Sequence, residues 1–287
     1  MFKTLGHYLE LVKFSHTIFA LPFALLGLTL GVTQTNTPFH LSTLLAVVAC
    51  MVFARSAAMG FNRYIDAQYD ALNPRTAQRE IPAGIVKPQH ALTFVIATSL
   101  LFIATTAAIN TLCFFLSPVA LAVILVYSYT KRFTPLCHLV LGLGLALAPI
   151  GAYLAVTAQF ASLPLLLSTL VFTWVSGFDI LYALQDEDFD RANKLHSIPE
   201  LLGRKKALWV SRSLHLITAA IAIYITLHYL NGAIQYIATA LFIGLLAYQH
   251  SLISETNISR INLAFGTTNG IASVLYATGM IAGIVFF

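Results

Sequence analysis

The sequence predicts an all-α integral membrane protein with about nine transmembrane helices. Three observations predict it. The 287 residues are 58% hydrophobic and only 9% charged, with mean hydropathy +0.81. A soluble domain is nearer roughly 45–50% apolar and about 25% charged. Nine stretches approach the roughly 20 apolar residues that a spanning helix needs. Charge, finally, falls in alternate connections.

The nine stretches are about 15–33, 41–60, 91–110, 113–130, 138–157, 163–184, 207–228, 232–250 and 267–287. The alternation of a transmembrane barrel is absent, so helices are what can satisfy the backbone in lipid. The connections after spans one, three, five and seven read "TQTNTPFH", "NTL", "TAQFAS" and "HYLNGA", without a Lys, Arg, Asp or Glu. The N-terminal segment and the other connections hold nearly every charge. Arg55, Asp179 and Arg212 lie inside spans, near the ends on that same side. The positive-inside rule makes this face cytoplasmic. Nine spans then place the N-terminus inside and the C-terminus outside. Residues 1–16 carry Glu10 and Lys13 without a small-residue cleavage site, and read as an interfacial amphipathic helix. The net charge of +5 reflects topology, not nucleic-acid binding. Cys50, Cys113 and Cys137 are scattered in apolar context and read as free thiols.

Two long cytoplasmic loops stand out, at about 61–90 and 185–206, and both begin acidic. In "NRYIDAQYD", Asn62, Asp66 and Asp70 are four apart and share a face if span two continues as a helix, which should end near Asn73-Pro74. In "DILYALQDEDFD", Asp179, Asp186 and Asp190 share a face, the last two again four apart. Carboxylates at that spacing repel by a few tenths of a kcal/mol and call for a counter-charge. Mg²⁺ takes oxygen ligands, typically one or two carboxylates plus substrate phosphates. Nearby Arg63, Arg75, Arg79, Lys131, Arg132, Arg191 and Lys194 suit phosphate oxygens. The constellation reads as a Mg²⁺-bridged diphosphate site at the membrane surface. One D-x-x-x-D in a loop is ordinarily a solvated face. Two of them, each at the end of a span in a chain with eleven acids, are not explained that way. Topology does not explain them either, because acids contribute little to orientation.

These residues resemble the UbiA family of membrane aromatic prenyltransferases. The family pattern N-x-x-x-D-x-x-x-D, then R-x-x-x-R-x-[LI]-P-x-G, then D-x-x-x-D after Tyr-Ala, is matched by "NRYIDAQYD", "RTAQREIPAG" and "YALQDEDFD". "YSYTKRFT" resembles the Lys-Arg segment after span four, and "APIGAYLAV" is similar to the bacterial branch that acts on 4-hydroxybenzoate. Arg63 stands where most members carry Asp, which puts one metal-site carboxylate in question.

The resemblance implies helices around a central greasy tunnel, in one domain over 1–287 capped by the two loops. It implies Mg²⁺ held by Asp66, Asp70, Asp186 and Asp190, with Lys131, Arg63 and Arg132 neutralising the leaving diphosphate. The donor is a polyprenyl diphosphate and the acceptor an aromatic acid of the 4-hydroxybenzoate type, or a dihydroxynaphthoate of the futalosine menaquinone route. Asn62, Arg75 and Arg79 join the substrate-binding set. The setting is a bacterial inner membrane, with membrane lipid as the surroundings and the site on the cytoplasmic face. Arg55 lies two turns deeper than Asn62 on the same face. It holds the acceptor carboxylate, backs up the diphosphate, or pairs with Asp179, also within a span. Tyr182 orients a substrate or is an interfacial belt residue. His250 and Asn269 read as structural donors.

Two other classes compete. A transporter fits the repeated acidic segments but calls for sites near the midplane. An intramembrane aspartyl protease built on Asp179 needs a second acid within the spans, and the sequence offers none.

Overall fold

The computed structural model describes residues 14–286. Residues 1–13 of the expected amphipathic helix lie outside the described residues. A 3₁₀ turn at Phe14–Phe19 leads into α1 (Leu21–Gln34), α2 (Leu41–Ile65), the short α3 (Ala67–Leu72), α4 (Pro88–Ile109), α5 (Thr111–Thr130), α6 (Cys137–Thr157) and α7 (Ser162–Ala183). A 3₁₀ turn, Leu184–Asp186, and the short α8 (Glu187–Ala192) follow. The chain then forms α9 (Ile198–His228), α10 (Ala233–Ser251), a π-helical turn at Leu263–Thr268 and α11 (Asn269–Phe286).

Each of the nine expected spans is a helix, and eight are long and apolar enough to cross a membrane. α10 is not among the eight: it carries Gln235, Gln249 and His250 over its 19 residues. The helices start where local chemistry predicts. Pro22, Pro88 and Pro199 occupy first turns, where a missing N–H costs nothing. Asn110 caps α5 by accepting from the Cys113 N–H at 2.8 Å. Pro118 interrupts α5, and Ser117 Oγ donates to the Phe114 carbonyl that Pro118 cannot reach, at 2.7 Å.

The helices form a closed ring in which neighbours in sequence pack side by side and α11 returns to α1. α6 crosses this ring to meet α1 and α7 as well as α5. Close approach needs small residues: a Cβ on Gly142 of α6 would strike Ser176 Oγ and the Phe172 carbonyl of α7. One side of α6 is a packed core around Trp174, Phe23, Phe242 and Tyr276, all fully buried. Inside it Trp174 Nε1 donates to Asn269 Oδ1 at 3.0 Å, which matches the structural role expected of Asn269. The other side is hollow.

The second acidic loop differs from expectation. Residues 185–206 are largely helical, and α9 begins at Ile198, not near 207. Gly203, at φ 74° and ψ 164°, breaks α9 after its first turns. Ser197 caps that piece by accepting from the Glu200 N–H.

Candidate active site

α2 does continue past its apolar stretch. Asp66 departs from helical geometry (φ −89°, ψ 4°), yet its N–H still reaches the Asn62 carbonyl, and the Asp70 N–H reaches that of Asp66. The ladder therefore survives a one-residue kink, and α3 ends at Leu72, before Asn73-Pro74, as expected. Asn62 Nδ2 donates to Asp66 Oδ2 at 2.8 Å. Arg132 donates to the Ile65 carbonyl at 2.7 Å and lies 3.4 Å from Asp66 Oδ1, with its guanidinium against the rings of Tyr69 and Tyr129. Asp70 is buried and takes both its bonds from Arg79 Nη1, at 2.7 and 2.9 Å. Arg63 turns inward, 3.9 Å from Glu80, and is 3% exposed. Its charge is met within its own loop.

The second segment is completed by other parts of the chain. Asp186 accepts from Arg75 Nη2 at 2.7 Å and Nε at 3.2 Å, and from Asn73 Nδ2 at 3.3 Å. Arg75 also donates to the Tyr182 hydroxyl at 3.3 Å, and the Tyr182 ring stacks on Phe265 at 4.0 Å. Asp190 has no exposure. Ser197 Oγ donates to its Oδ2 at 2.9 Å, and Lys131 Nζ stands 2.7 Å from its Oδ1. That oxygen is fully buried and paired with the ammonium. Burial works against the Lys131 charge, the Asp190 carboxylate outweighs it, and the Lys131 pKa is raised.

The 113-residue separation between Asn73 and Asp186 thus closes into one cluster. Arg191 and Lys194 are not at its centre. Arg191 pairs with Glu187, which Arg204 also holds, and Lys194 sits in a left-handed turn. Asp179 does not form an ion pair with Arg55. It accepts from His138 Nδ1 at 2.7 Å, and His138 Nε2 takes the Ile198 N–H at 3.4 Å. That correction has a simple cause. Cys137-His138 opens α6 beside α7, so the imidazole reaches the carboxylate first. Asn73, Glu80 and His138 were not singled out from sequence. An amide, a loop acid and an isolated His carry no spacing signal.

Arg55 instead lines a cavity of about 380 Å³ on the hollow side of α6. Its wall is apolar, built from α2, α4, α5 and α6, and runs from Met59 and Tyr127 to Ile109 and Phe160. Asn62 and the C-cap Asp66 lie about two and three turns above Arg55 along α2.

The donor set at the mouth is all hard oxygen. Among the described residues no three acidic, His or Cys side chains stand close enough to hold a metal ion alone. Any ion here would complete its shell with phosphate oxygens, which is how Mg²⁺ is usually bound. The buried Asp190 carboxylate, now paired with Lys131, and the Asp66 carboxyl are oxygen donors of that kind. Burial, then repulsion from Asp70, raises the Asp66 pKa to about 6, against the pull of Arg132 and Lys131. An added cation would relieve both causes.

Residues 20–274 match the UbiA prenyltransferase family. The chain belongs to that family. As a UbiA prenyltransferase it has relatives named 4-hydroxybenzoate octaprenyltransferase. The Aeromonas salmonicida protein is 33% identical over 245 residues, with 83% of this chain and 82% of that one covered. The Aeromonas hydrophila protein is 30% identical, with 82% of each covered. Among solved structures, the apo form of a UbiA homolog from Aeropyrum pernix K1 superposes with TM-score 0.84 at 36% identity, covering 93% of this chain and 97% of that one. A UbiA homolog from Archaeoglobus fulgidus, bound to DMAPP and Mg²⁺, shares the fold with TM-score 0.78 at 22% identity, over 98% and 99% of the two chains. The chain is thus a membrane prenyltransferase with the UbiA fold.

Proposed function

We propose that this UbiA prenyltransferase moves a polyprenyl group from its diphosphate to an aromatic acid of the 4-hydroxybenzoate type, releasing diphosphate, in quinone biosynthesis. The observation that carries the reading is the junction at Asp186. Arg75 and Asn73 of one acidic segment bind the carboxylate of the other, and α2, which leads into the first of these segments, lines an apolar cavity with Arg55 and Met59. A diphosphate head and an isoprenoid tail require that pairing of a charged mouth and a greasy interior. The name of the curated relatives supports the acceptor.

In this reading Asp66, Asp70, Asp186 and Asp190 hold Mg²⁺, in keeping with the Mg²⁺ in the Archaeoglobus fulgidus homolog. Bound there, the metal neutralises the diphosphate as it leaves. Lys131, Arg132, Arg75 and Arg79, each now against one of the four carboxylates, share the phosphate oxygens, with Asn62 and Arg63 beside them. This is stabilisation of a developing anion by fixed positive charge. The apolar wall of the cavity keeps water from the allylic cation. Arg55, a charge in that wall, binds the acceptor carboxylate through its planar fork. Tyr182 positions Arg75, and Asp179 keeps its place through His138. The two loops cap a single domain spanning 1–287.

We place this mouth on the cytoplasmic side of a bacterial inner membrane. Reporter fusions should put the 61–90 loop inside and Phe287 outside. The activity is tested by incubating membranes that contain the protein with a polyprenyl diphosphate and Mg²⁺, offering either 4-hydroxybenzoate or a dihydroxynaphthoate. The mass of a prenylated 4-hydroxybenzoate, with matched diphosphate release, is expected. Product from the naphthoate alone would move the acceptor assignment. No product from either would end it.

A further inference from the structure

α9 carries a stripe that neither the cavity nor the acidic cluster uses. Lys205, Trp209, Arg212 and Leu216 are spaced four, three and four apart, so they stand one above another on one face. That face looks outward: Lys205 is exposed, Trp209 is 60% and Leu216 71% exposed, and Arg212 is half-buried. The Arg212 guanidinium lies over the Trp209 ring at 5.2 Å. Lys206 is exposed beside Lys205. Among the described residues no carboxylate pairs with Lys205, Lys206, Arg212 or Arg260, whereas Arg204, the next residue back, is held by Glu187 at 3.1 Å.

Arg212 is the telling member. It lies about two turns inside the straight part of α9, which runs on from the break at Gly203. A charge at that depth usually faces a bundle interior and has a partner. This one faces outward and has an aromatic ring. An exposed Trp at such a level marks the headgroup boundary. The Arg stem is long enough to carry its charge up to that level.

On the buried face of the same helix, His215 pairs with His250 of α10. His215 Nε2 lies 3.0 Å from the Trp174 carbonyl, so it must donate there. His215 Nδ1 then accepts, and His250 Nε2, 2.8 Å away, donates to it. His250 Nδ1 has no hydrogen-bond partner among the described residues. The Arg212 guanidinium is within electrostatic reach of that ring. Neither imidazole can carry negative charge, so the pair offers Arg212 no counter-charge.

We propose that this stripe is a binding site for the phosphate of an anionic phospholipid. Arg212 holds the phosphate at the level of Trp209, Lys205 and Lys206 add charge from above, and Leu216 meets the acyl chain. Clustered Lys and Arg at the cytoplasmic end of a span attract anionic lipid, each changing affinity by about fivefold near the surface. The inference does not depend on which substrates the active site takes.

The protein carries its own reporter. It has two tryptophans, and Trp174 is fully buried, so lipid-dependent quenching reads Trp209. The full chain is reconstituted in phosphatidylcholine vesicles with increasing fractions of acyl-brominated phosphatidylglycerol or acyl-brominated phosphatidylcholine. Half-maximal quenching is expected at a mole fraction of the phosphatidylglycerol lower by at least about fivefold, the effect of one basic residue, and by up to about 100-fold with all three acting. Arg212→Gln should narrow the difference between the two curves about fivefold, while Arg212→Lys keeps part of it. Lys205→Gln with Lys206→Gln, exposed positions that need not disturb folding, should also narrow it, by up to about fivefold for each lysine. Coincident curves for the unaltered protein would overturn the site. So would a preference that survives both Arg212→Gln and the double lysine change.

Discussion

The two acidic segments look alike in sequence and differ in how they are held. In the first, Asp70 is bound by Arg79 nine residues on, and Asp66 by Asn62 four residues back. Of its contacts only Arg132 comes from far along the chain. In the second, Asp186 depends on Asn73 and Arg75, and Asp190 on Lys131. The first segment can arrange itself as soon as α2 and α3 form. The second has its counter-charges only when α2, α5 and α7 are together. A repeated motif therefore need not mean a repeated mechanism of assembly: one half is locally built, and the other is a product of tertiary packing.

The largest effect should come from removing one carboxylate of each segment. Asp66→Ala and Asp186→Ala should each lower kcat by on the order of 10²–10³-fold, with the protein still inserted and folded. If the comparison is right, Asp186→Ala also frees Arg75 and loosens the junction, so limited proteolysis of the 61–90 loop should accelerate for that variant and not for Asp66→Ala. Unchanged turnover in either, at ordinary Mg²⁺, would remove it from the diphosphate site.

Next in size is an asymmetry at the buried pair. Lys131→Met leaves the Asp190 carboxylate, which has no exposure, with only Ser197 for company. Asp190→Asn leaves Lys131, a third exposed, able to reach water. Lys131→Met should cost about 2–3 kcal/mol and Asp190→Asn about 1, with the double variant recovering much of the difference. Thermal unfolding in detergent would show it as a lower Tm for Lys131→Met. Equal losses would mean that the pair is less buried than its geometry indicates.

Smaller still is the separation between mouth and cavity. Arg55→Lys keeps the charge but loses the planar fork, and should raise the acceptor KM about tenfold with little change for the donor. A raised donor KM alone would assign Arg55 to the diphosphate.

The mildest test uses pH. Asp66 titrates near 6 because burial, then Asp70, disfavours its charge. Below that, protons compete with the cation, so the Mg²⁺ needed for half-maximal rate should rise as pH falls, approaching roughly tenfold per unit. Without metal the sign for stability is opposite. The folded state binds this proton more tightly than the unfolded chain, so Asp66 destabilises the fold as pH rises from about 4 to about 6. Asp66→Asn should abolish both dependences, and a Mg²⁺ requirement that ignores pH in the unaltered protein would count against Asp66 as a ligand.

The sequence by itself determined what is local or set by solvent. Apolar length fixed where nine helices run, because lipid cannot satisfy a bare backbone. Charge-free connections fixed which ends share a side. The four-residue spacing fixed that Asn62, Asp66 and Asp70 share a face, and the ladder held even through the kink at Asp66. Only the tertiary structure decided partners. That Asp179 goes to His138 and not Arg55, and that Arg75 crosses to Asp186, depends on which helices pack together, while the fold of the 61–90 loop turns Arg63 onto Glu80 and Ser197 caps the helical residues 198–202. The physical reason is reach. A helix's period and its preference for lipid are encoded within a turn or a span. A hydrogen bond between residues more than a hundred positions apart depends on packing that no single segment contains.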